Sequence, residues 1–337
     1  MTTNSAAWIL EPKAHPFVVK EAPTYTPEAN EILVKNHALA IAPVDGGIQT
    51  RAWFPITYPA ILGQDVAGEV VAIGPNVTRF KIGDRVIGHG AGFATKSIRD
   101  FAFQNYTVIL TNMASELPDN ISYEEGCVVP LGLSTASCGL FQDDHLGLQL
   151  PTEPRGVNSG VVLVWGGASS VGSNAIQLVV SAGYEVFTTA SPKNFEIVKK
   201  LGASQVFDYN SPTVVQEITA ALQGKTLAGA LDCIGFVATP MTVEVVRKSE
   251  GNKFVSTVKP GFESPEGITV KHIFGTTLKD NHVGKAIYED FLPKALKVGT
   301  FTPAPSPLIA GHGLESIQGA VDLQAKGTSA QKIIVTL

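Results

Sequence analysis

The sequence predicts an α/β protein in which a β-rich module is joined to a doubly wound, six-stranded parallel sheet. Three observations predict it. The stretch Val161–Gly172 runs from an apolar strand-like segment directly into a glycine-rich turn. Six strand-like segments then alternate with helical patterns, which is the signature of a parallel sheet with crossover helices. Before them, to about residue 125, short β-branched segments are broken by Pro and Gly in the manner of a barrel-like module.

The elements follow in order. Ala7–Leu10, Glu31–Ala40 and Ala67–Ile73 read as strands, and Lys81-Ile-Gly-Asp-Arg-Val-Ile87 as a turn feeding another. Asp143–Asn158 carries loop residues and is expected at the surface. The six central strands are placed at Val161–Trp165, Glu185–Thr189, Gln205–Asp208, Ala230–Ile234, Lys253–Val258 and Lys271–Phe274. Helical patterns include Ser173–Ala182, with Ile176, Val179 and Val180 on one face, then Asn194–Leu201 and Pro212–Leu222. A helix is expected over Val283–Val298, a proline-rich link over Thr302–Pro307, and a helix over Leu314–Lys326. The last strand, Lys332–Leu337, has no place in a completed six-stranded sheet, so the tail is expected to return to the first module.

Composition bounds the function. A chain of 337 residues has room for about two domains. With 44% hydrophobic and 16% charged residues it can build cores, and a disordered chain is excluded. A net charge of -5 gives no footprint for nucleic acid or an anionic membrane. No apolar run reaches the roughly 18 residues of a membrane span. Met1–Trp8 shows no signal-peptide pattern, and Cys127, Cys138 and Cys233 are too scattered for a disulfide framework. A reduced, cytoplasmic setting is expected.

Strand, glycine turn and helix in that order make a dinucleotide site. The turn lets a pyrophosphate approach the backbone, and the helix N-terminus offers free N–H groups and a partial positive charge. Ala168, Ser169, Ser170, Val171 and Gly172 are the expected contacts. An NAD site would place an acid at the end of the second strand to accept from the ribose hydroxyls. The residues there are Thr188-Thr-Ala-Ser-Pro-Lys-Asn194. Ser191, Lys193 and Asn194 suit a 2′-phosphate instead, so the expected cofactor is NADPH.

Further motifs carry a resemblance that covers nearly the whole chain. They are Ala42-Pro-Val-Asp45, Gly63-Gln-Asp-Val-Ala-Gly-Glu-Val70, Phe80-Lys-Ile-Gly-Asp-Arg-Val86, Leu131-Gly-Leu-Ser-Thr-Ala136 and Leu201-Gly-Ala203. Together with the glycine turn they resemble the medium-chain dehydrogenase/reductase superfamily. Ser191-Pro-Lys-Asn194, Phe207-Asp-Tyr209, Leu231-Asp-Cys233 and Ser329-Ala-Gln-Lys332 resemble its fungal ToxD-like group, which includes enoyl reductases working in trans with polyketide synthases. The resemblance implies a GroES-like substrate domain over 1–125 and 283–337, and a Rossmann NADPH-binding domain over 126–282. It adds Pro43, Val44, Asp45, Thr135, Tyr209, Val258, Leu278 and Lys332 to the cofactor contacts. It places Leu131, Leu133, Ser134, Phe274, Thr276 and Thr277 at the substrate. Asp45 and Thr135 are the catalytic candidates, although Asp45 also reads as a turn cap and Thr135 as a helix cap.

The resemblance also implies what is missing. Zinc-dependent members hold the metal with Cys and a His from a Gly-His-Glu motif. Here those places carry Pro43 and Gln64, which do not replace thiolate and imidazole, so no metal is expected. Many ToxD-like reductases carry a lysine two residues after the Asp; here Gly46 and Gly47 follow Asp45. The cations Arg51 and Lys81 have no evident claim on the pocket, Tyr58 reads as framing the start of a strand, and no proton donor is assigned. The expected activity is NADPH-dependent hydride transfer to the C=C of an α,β-unsaturated carbonyl or thioester. The substrate is free or carrier-bound, with a polyketide synthase as the expected partner. Three alternatives stay open: a stand-alone quinone or alkenal reductase, a catalytically silent NADPH-binding scaffold, and an NADPH-binding protein with redirected, non-reductive chemistry. Monomer and homodimer are both compatible with the sequence.

Overall fold

The structure is a computed structural model, and it describes residues 3–337. The chain divides into two compact units, Met1–Leu131 with Pro303–Leu337, and Gly132–Thr302.

The first unit is built from β1 (Asn4–Ile9), β2 (Val18–Ala22), β3 (Glu31–Ala40), β4 (Ala60–Ile61), β5 (Asp65–Ile73), β6 (Arg85–His89), β7 (Tyr106–Leu110) and β8 (Ala114–Glu116). The long strand β3 organises it. Its first half pairs antiparallel with both β5 and β7, and Ala38–Ala40 continue the ladder with β5. Alternation decides which face is inside: Ile32, Val34, Ala38 and Ala40 are buried, while Lys35 is exposed.

The second unit holds β9 (Val161–Trp165), β10 (Glu185–Ala190), β11 (Gln205–Asp208), β12 (Leu227–Asp232), β13 (Phe254–Thr257) and β14 (Thr269–His272). All pairs are parallel, in the order β11-β10-β9-β12-β13-β14. This is the expected doubly wound sheet. The strand order reverses beside β9, and ligands of such sheets bind at the carboxyl ends there. Val161, Leu163 and Trp165 point to one face and pack with Phe187, Val214, Ile218, Val245 and Val255. Val162 and Val164 are equally buried on the other, because helices cover both faces.

The tail returns to the first unit as expected. Strand β15 (Ser306–His312) pairs parallel with β16 (Gln331–Thr336), and β16 pairs antiparallel with β3. Strand β15 was not anticipated from the proline-rich segment. As the edge of its sheet it tolerates Pro307, whose missing N–H costs no ladder bond on the open side.

Three further differences have physical reasons. Residues 283–302 belong to the second unit, not the first. Gln177 ties them there, donating to the Thr302 carbonyl at 3.0 Å and accepting from the Thr302 N–H at 2.8 Å. The expected helix over this stretch has a widened π-helical turn, Ala286–Phe291, between His282–Lys285 and Leu292–Val298. Pro293 follows that turn; its ring would clash with a carbonyl four residues back in a regular helix. Finally, Asp143–Asn158 has no helix or strand, but His145, Leu146 and Leu148 are buried, so the loop is anchored rather than wholly superficial. His145 and Ser256 share a hydrogen bond of 3.1 Å.

Candidate active site

In the second unit the glycine turn lies where β9 gives way to the helix Ser170–Ser181. Gly166 is left-handed, with φ of 85°, which reverses the chain at the strand end. A Cβ on Gly172 would lie 2.3 Å from the Gly166 carbonyl oxygen, so the helix closes on the turn only because that position is bare. Ser169 caps the helix, accepting from the Gly172 N–H at 3.0 Å and donating to the Gly166 carbonyl at 2.8 Å. The Ser170 hydroxyl is buried without a partner among the described residues. This bare, N-capped cradle with an orphaned donor fits a dinucleotide pyrophosphate.

The turn is fixed to the end of β10. Gly166 N–H donates to the Thr189 hydroxyl and Gly167 N–H to the Thr189 carbonyl, both at 2.9 Å. Ser191 therefore follows two residues after the anchoring threonine. Asn194 Nδ2 donates to Ser191 Oγ at 3.2 Å, and Lys193 is exposed. Tyr209, just past β11, is also exposed. Thus the group Ala168–Gly172 and the group Ser191–Asn194 are brought together, as read from sequence.

The helix Pro130–Phe141 presents Leu133 and Ser134, both buried, and the half-buried Thr135. Thr135 faces the segment Gly275–Asp280: a Cβ on Gly275 would be 3.0 Å from its hydroxyl. Thr276 carries a buried hydroxyl without a partner among the described residues, and Leu278 is buried in the same segment. Cys138 Sγ is 3.4 Å from both the Gly275 carbonyl and the Thr277 hydroxyl, which Gln142 Nε2 reaches at 2.8 Å. Burial pushes the Cys138 thiol up to about 12, so it stays protonated and packs as a small apolar group. Phe274, expected at the end of a strand and at the substrate, lies just beyond β14 and is 37% exposed. Val258, half-buried after β13, is held by its N–H on the Asp232 carbonyl at 3.0 Å. Sequence reading missed Tyr288. Its hydroxyl lies 2.7 Å from Ser134 Oγ with both side chains buried, and a pair 154 residues apart leaves no sequence signal.

In the first unit Asp45 is fully buried near the start of the helix Pro43–Arg51. Pro43 opens that helix and is exposed; Val44 beside it is half-buried. Asp45 Oδ2 accepts from the Ala42 N–H at 2.8 Å and Oδ1 from the Gly63 N–H at 3.1 Å. Burial pushes its carboxyl up to about 7, against the pull of those two backbone donors. With both oxygens occupied and no exposure, Asp45 positions two loops and does not itself reach a reacting atom.

Lys332, expected at the cofactor, has another partner. Its Nζ donates to Asp65 Oδ2 at 2.6 Å and to the Val128 carbonyl at 3.3 Å, inside the first unit. Asp65 Oδ1 accepts from the Leu131 N–H at 2.7 Å, so this buried pair pins the chain at the start of the helix Pro130–Phe141. The ammonium is occupied by a carboxylate and a carbonyl, and is not available to a phosphate.

The donor set does not fit a catalytic zinc. Gln64 Oε1 sits 3.2 Å from His89 Nε2, and burial followed by the charge of Lys332 pushes the imidazole down to about 3. Among the described residues no three His, Cys, Asp or Glu side chains are grouped to hold a metal ion. No described helix is long and apolar enough to cross a membrane.

Fold and site together define a dehydrogenase built from a mixed-sheet unit and a dinucleotide-binding unit. Residues 28–119 match the alcohol dehydrogenase GroES-like domain, and residues 170–292 match the zinc-binding dehydrogenase family. The chain belongs to the medium-chain dehydrogenase/reductase superfamily, whose fold binds a nicotinamide cofactor. It is 67% identical to the zinc-binding alcohol dehydrogenase domain-containing protein cipB of Emericella nidulans, over 99% of this chain and 98% of that protein. It is 36% identical to the trans-enoyl reductase himH of Aspergillus japonicus, over 99% and 97% of the two chains. Its fold is similar to an alcohol dehydrogenase superfamily protein from Novosphingobium aromaticivorans, with a TM-score of 0.81 at 24% identity and full coverage of both chains.

Proposed function

We propose that the protein is a zinc-free, NADPH-dependent reductase that delivers hydride to the C=C of an α,β-unsaturated thioester or carbonyl in fungal secondary metabolism. The observation that carries the reading is the acid-free end of β10. Ser191 and the exposed Lys193, without an ion pair among the described residues, stand there beside the glycine turn, suited to a 2′-phosphate. The Gln64–His89 pair supports it from the first unit, since that donor set offers nothing to polarise a carbonyl through a metal. The relative named trans-enoyl reductase supports the substrate class.

When bound, the reduced nicotinamide supplies a hydride to the β-carbon and leaves as its oxidised form. The C=C electrons move onto the carbonyl oxygen as an enolate, and a proton adds at the α-carbon. The chain's own contribution is to hold and orient. Ser170 would hold the pyrophosphate at the helix end that Ser169 caps and that the bare Gly172 keeps open; Ser191 and Lys193 would select the phosphorylated ribose. Thr135 and the segment Phe274–Leu278 border the reacting end.

The test is turnover of an enoyl thioester with NADPH deuterated at the transferred position, expected to place deuterium on the β-carbon. Consumption of NADPH without deuterium in the product would indicate redirected chemistry, and no consumption with any enoyl, enal or quinone substrate would overturn the reading. Free enones assayed beside carrier-bound substrates separate a stand-alone reductase from one that serves a synthase. Lys193→Glu should weaken NADPH binding about tenfold to a hundredfold and leave NADH almost unaffected, read by fluorescence titration.

A further inference from the structure

Thr135 borders the reacting end in the function proposed above, and its place depends on how the helix Pro130–Phe141 is held within the second unit. At Gly132 this helix touches the start of the helix after the glycine turn. A Cβ there would lie 2.7 Å from Ser170 Oγ and 2.8 Å from the Ser170 carbonyl oxygen. At Thr135 it touches Gly275, just past β14. At Gly139 it rests on the sheet, where a Cβ would lie 2.6 Å from Leu231 Cδ1 and 2.7 Å from Ile273 Cδ1. Ser170 follows β9 and Gly275 follows β14, so the stretch from Gly132 to Thr135 lies at the carboxyl ends of the strands, where ligands of such sheets bind. It leads from the pyrophosphate turn to the segment beyond the last strand, a path that the nicotinamide half of a dinucleotide has to follow.

The helix is gripped on two sides. Cys138 Sγ meets the Gly275 carbonyl and the Thr277 hydroxyl at 3.4 Å, and Gln142, just past the helix end, reaches Thr277 at 2.8 Å. These contacts belong to the second half of the helix. In the first half, Ser134 Oγ and the Tyr288 hydroxyl share a hydrogen bond of 2.7 Å, with both side chains fully buried. Ser134 points about 100° round the helix from Thr135. Tyr288 stands in the π-helical turn Ala286–Phe291, a widened geometry that concentrates at functional sites. A helix held along one side can roll about its axis, and a directional bond on its flank stops the roll. A roll of about 10° moves a side-chain atom about 5–6 Å from the axis by about 1 Å. Misplacement by about 1 Å costs a reaction as much as about a hundredfold. We propose that Tyr288 is a positioning residue: through Ser134 it fixes the roll of this helix and so holds Thr135 at the nicotinamide. This inference rests on the function proposed above. Both hydroxyls are buried and bonded to each other, so the pair acts through Thr135 and not on a reacting atom.

The experiment compares wild type with Tyr288→Phe, Ser134→Ala and the double variant. The probes are NADPH, NADPH deuterated at the transferred position, 2′,5′-ADP as a ligand without the nicotinamide, and a trans-2-octenoyl thioester for turnover. Tyr288→Phe should lower kcat about tenfold to a hundredfold, with KM for NADPH within about twofold, and should raise the primary deuterium isotope effect on kcat. The fluorescence emission of bound NADPH should shift toward that of the free cofactor, while 2′,5′-ADP affinity stays within about twofold. Ser134→Ala should match Tyr288→Phe, and the double variant should lose no more than either, because all three remove one and the same bond. Melting points should fall by no more than about 4 °C. Unchanged kcat and unchanged NADPH emission in Tyr288→Phe would overturn the proposal. So would losses that add in the double variant, or a fall in 2′,5′-ADP affinity matching the fall in kcat, which would assign the pair to the folding of the unit. If wild type turns over no enoyl thioester, the proposed function fails, and the emission of bound NADPH in the variants still decides whether Tyr288 positions the nicotinamide.

Discussion

The two units bury a carboxylate in opposite ways. In the second, Asp232 closes β12 and accepts from the Ile234 and Gly235 N–H groups at 3.0 and 2.9 Å, and from the Thr239 and Thr257 hydroxyls at 2.6 and 3.1 Å. Three of these donors come from the seven residues that follow it, and the fourth from the neighbouring strand. In the first unit Asp65 depends on Leu131, 66 positions on, and on Lys332, 267 positions on. The first carboxylate is satisfied by local turn geometry. The second is satisfied only by partners far along the chain, one of them in the tail strand.

The sharpest way to break this contrast is to remove one partner. Lys332→Met leaves Asp65 buried without its counter-charge and should cost about 3–5 kcal/mol. Asp232→Asn keeps one acceptor and should cost about 1–3 kcal/mol. Urea unfolding of both variants checks the order; a larger loss for Asp232→Asn would reverse the comparison.

The next effect is one of pH. Because Asp45 is pushed up from 3.8 to about 7, the folded state holds its proton more tightly than the unfolded chain. The stability this contributes is complete below its ordinary value of 3.8 and is lost as pH rises through about 7. Asp45→Asn should therefore flatten the stability profile between those limits relative to wild type, measured as the difference between the two melting curves. An unchanged profile would place the titration on another group. The smallest effect belongs to the second unit's local capping: Ser169→Ala should cost about 0.5–2 kcal/mol in thermal unfolding and weaken NADPH binding, with no effect on the first unit.

The parallel sheet was legible because each strand announces itself. Val161–Trp165 is apolar throughout as a strand buried on both faces must be, and the glycine turn after it gained its meaning from the alternating strands and helices around it. Strand β15 was not legible, since Pro307 and the prolines before it read as linker, and only pairing with β16 makes the segment extended. The acid-free end of β10 was legible because the identity of the residues there is a local fact. Lys332 was misassigned because a lysine near a motif looks like a phosphate ligand until the carboxylate that claims it is located in space.

The sequence by itself determined the two-part α/β architecture, the family, the nucleotide turn and the absence of zinc-type ligands at Pro43 and Gln64. Those rest on period, spacing and residue chemistry, which act over a few positions. Only the tertiary structure decided which charges are spent and which are free. Lys332 is taken by Asp65, Asp45 is buried under two backbone donors, and Arg51 is left facing solvent beside Trp53. The reason is physical: a side chain's partners are set by where strands and turns far apart in sequence are brought together, and burial then fixes whether its charge is available to a ligand.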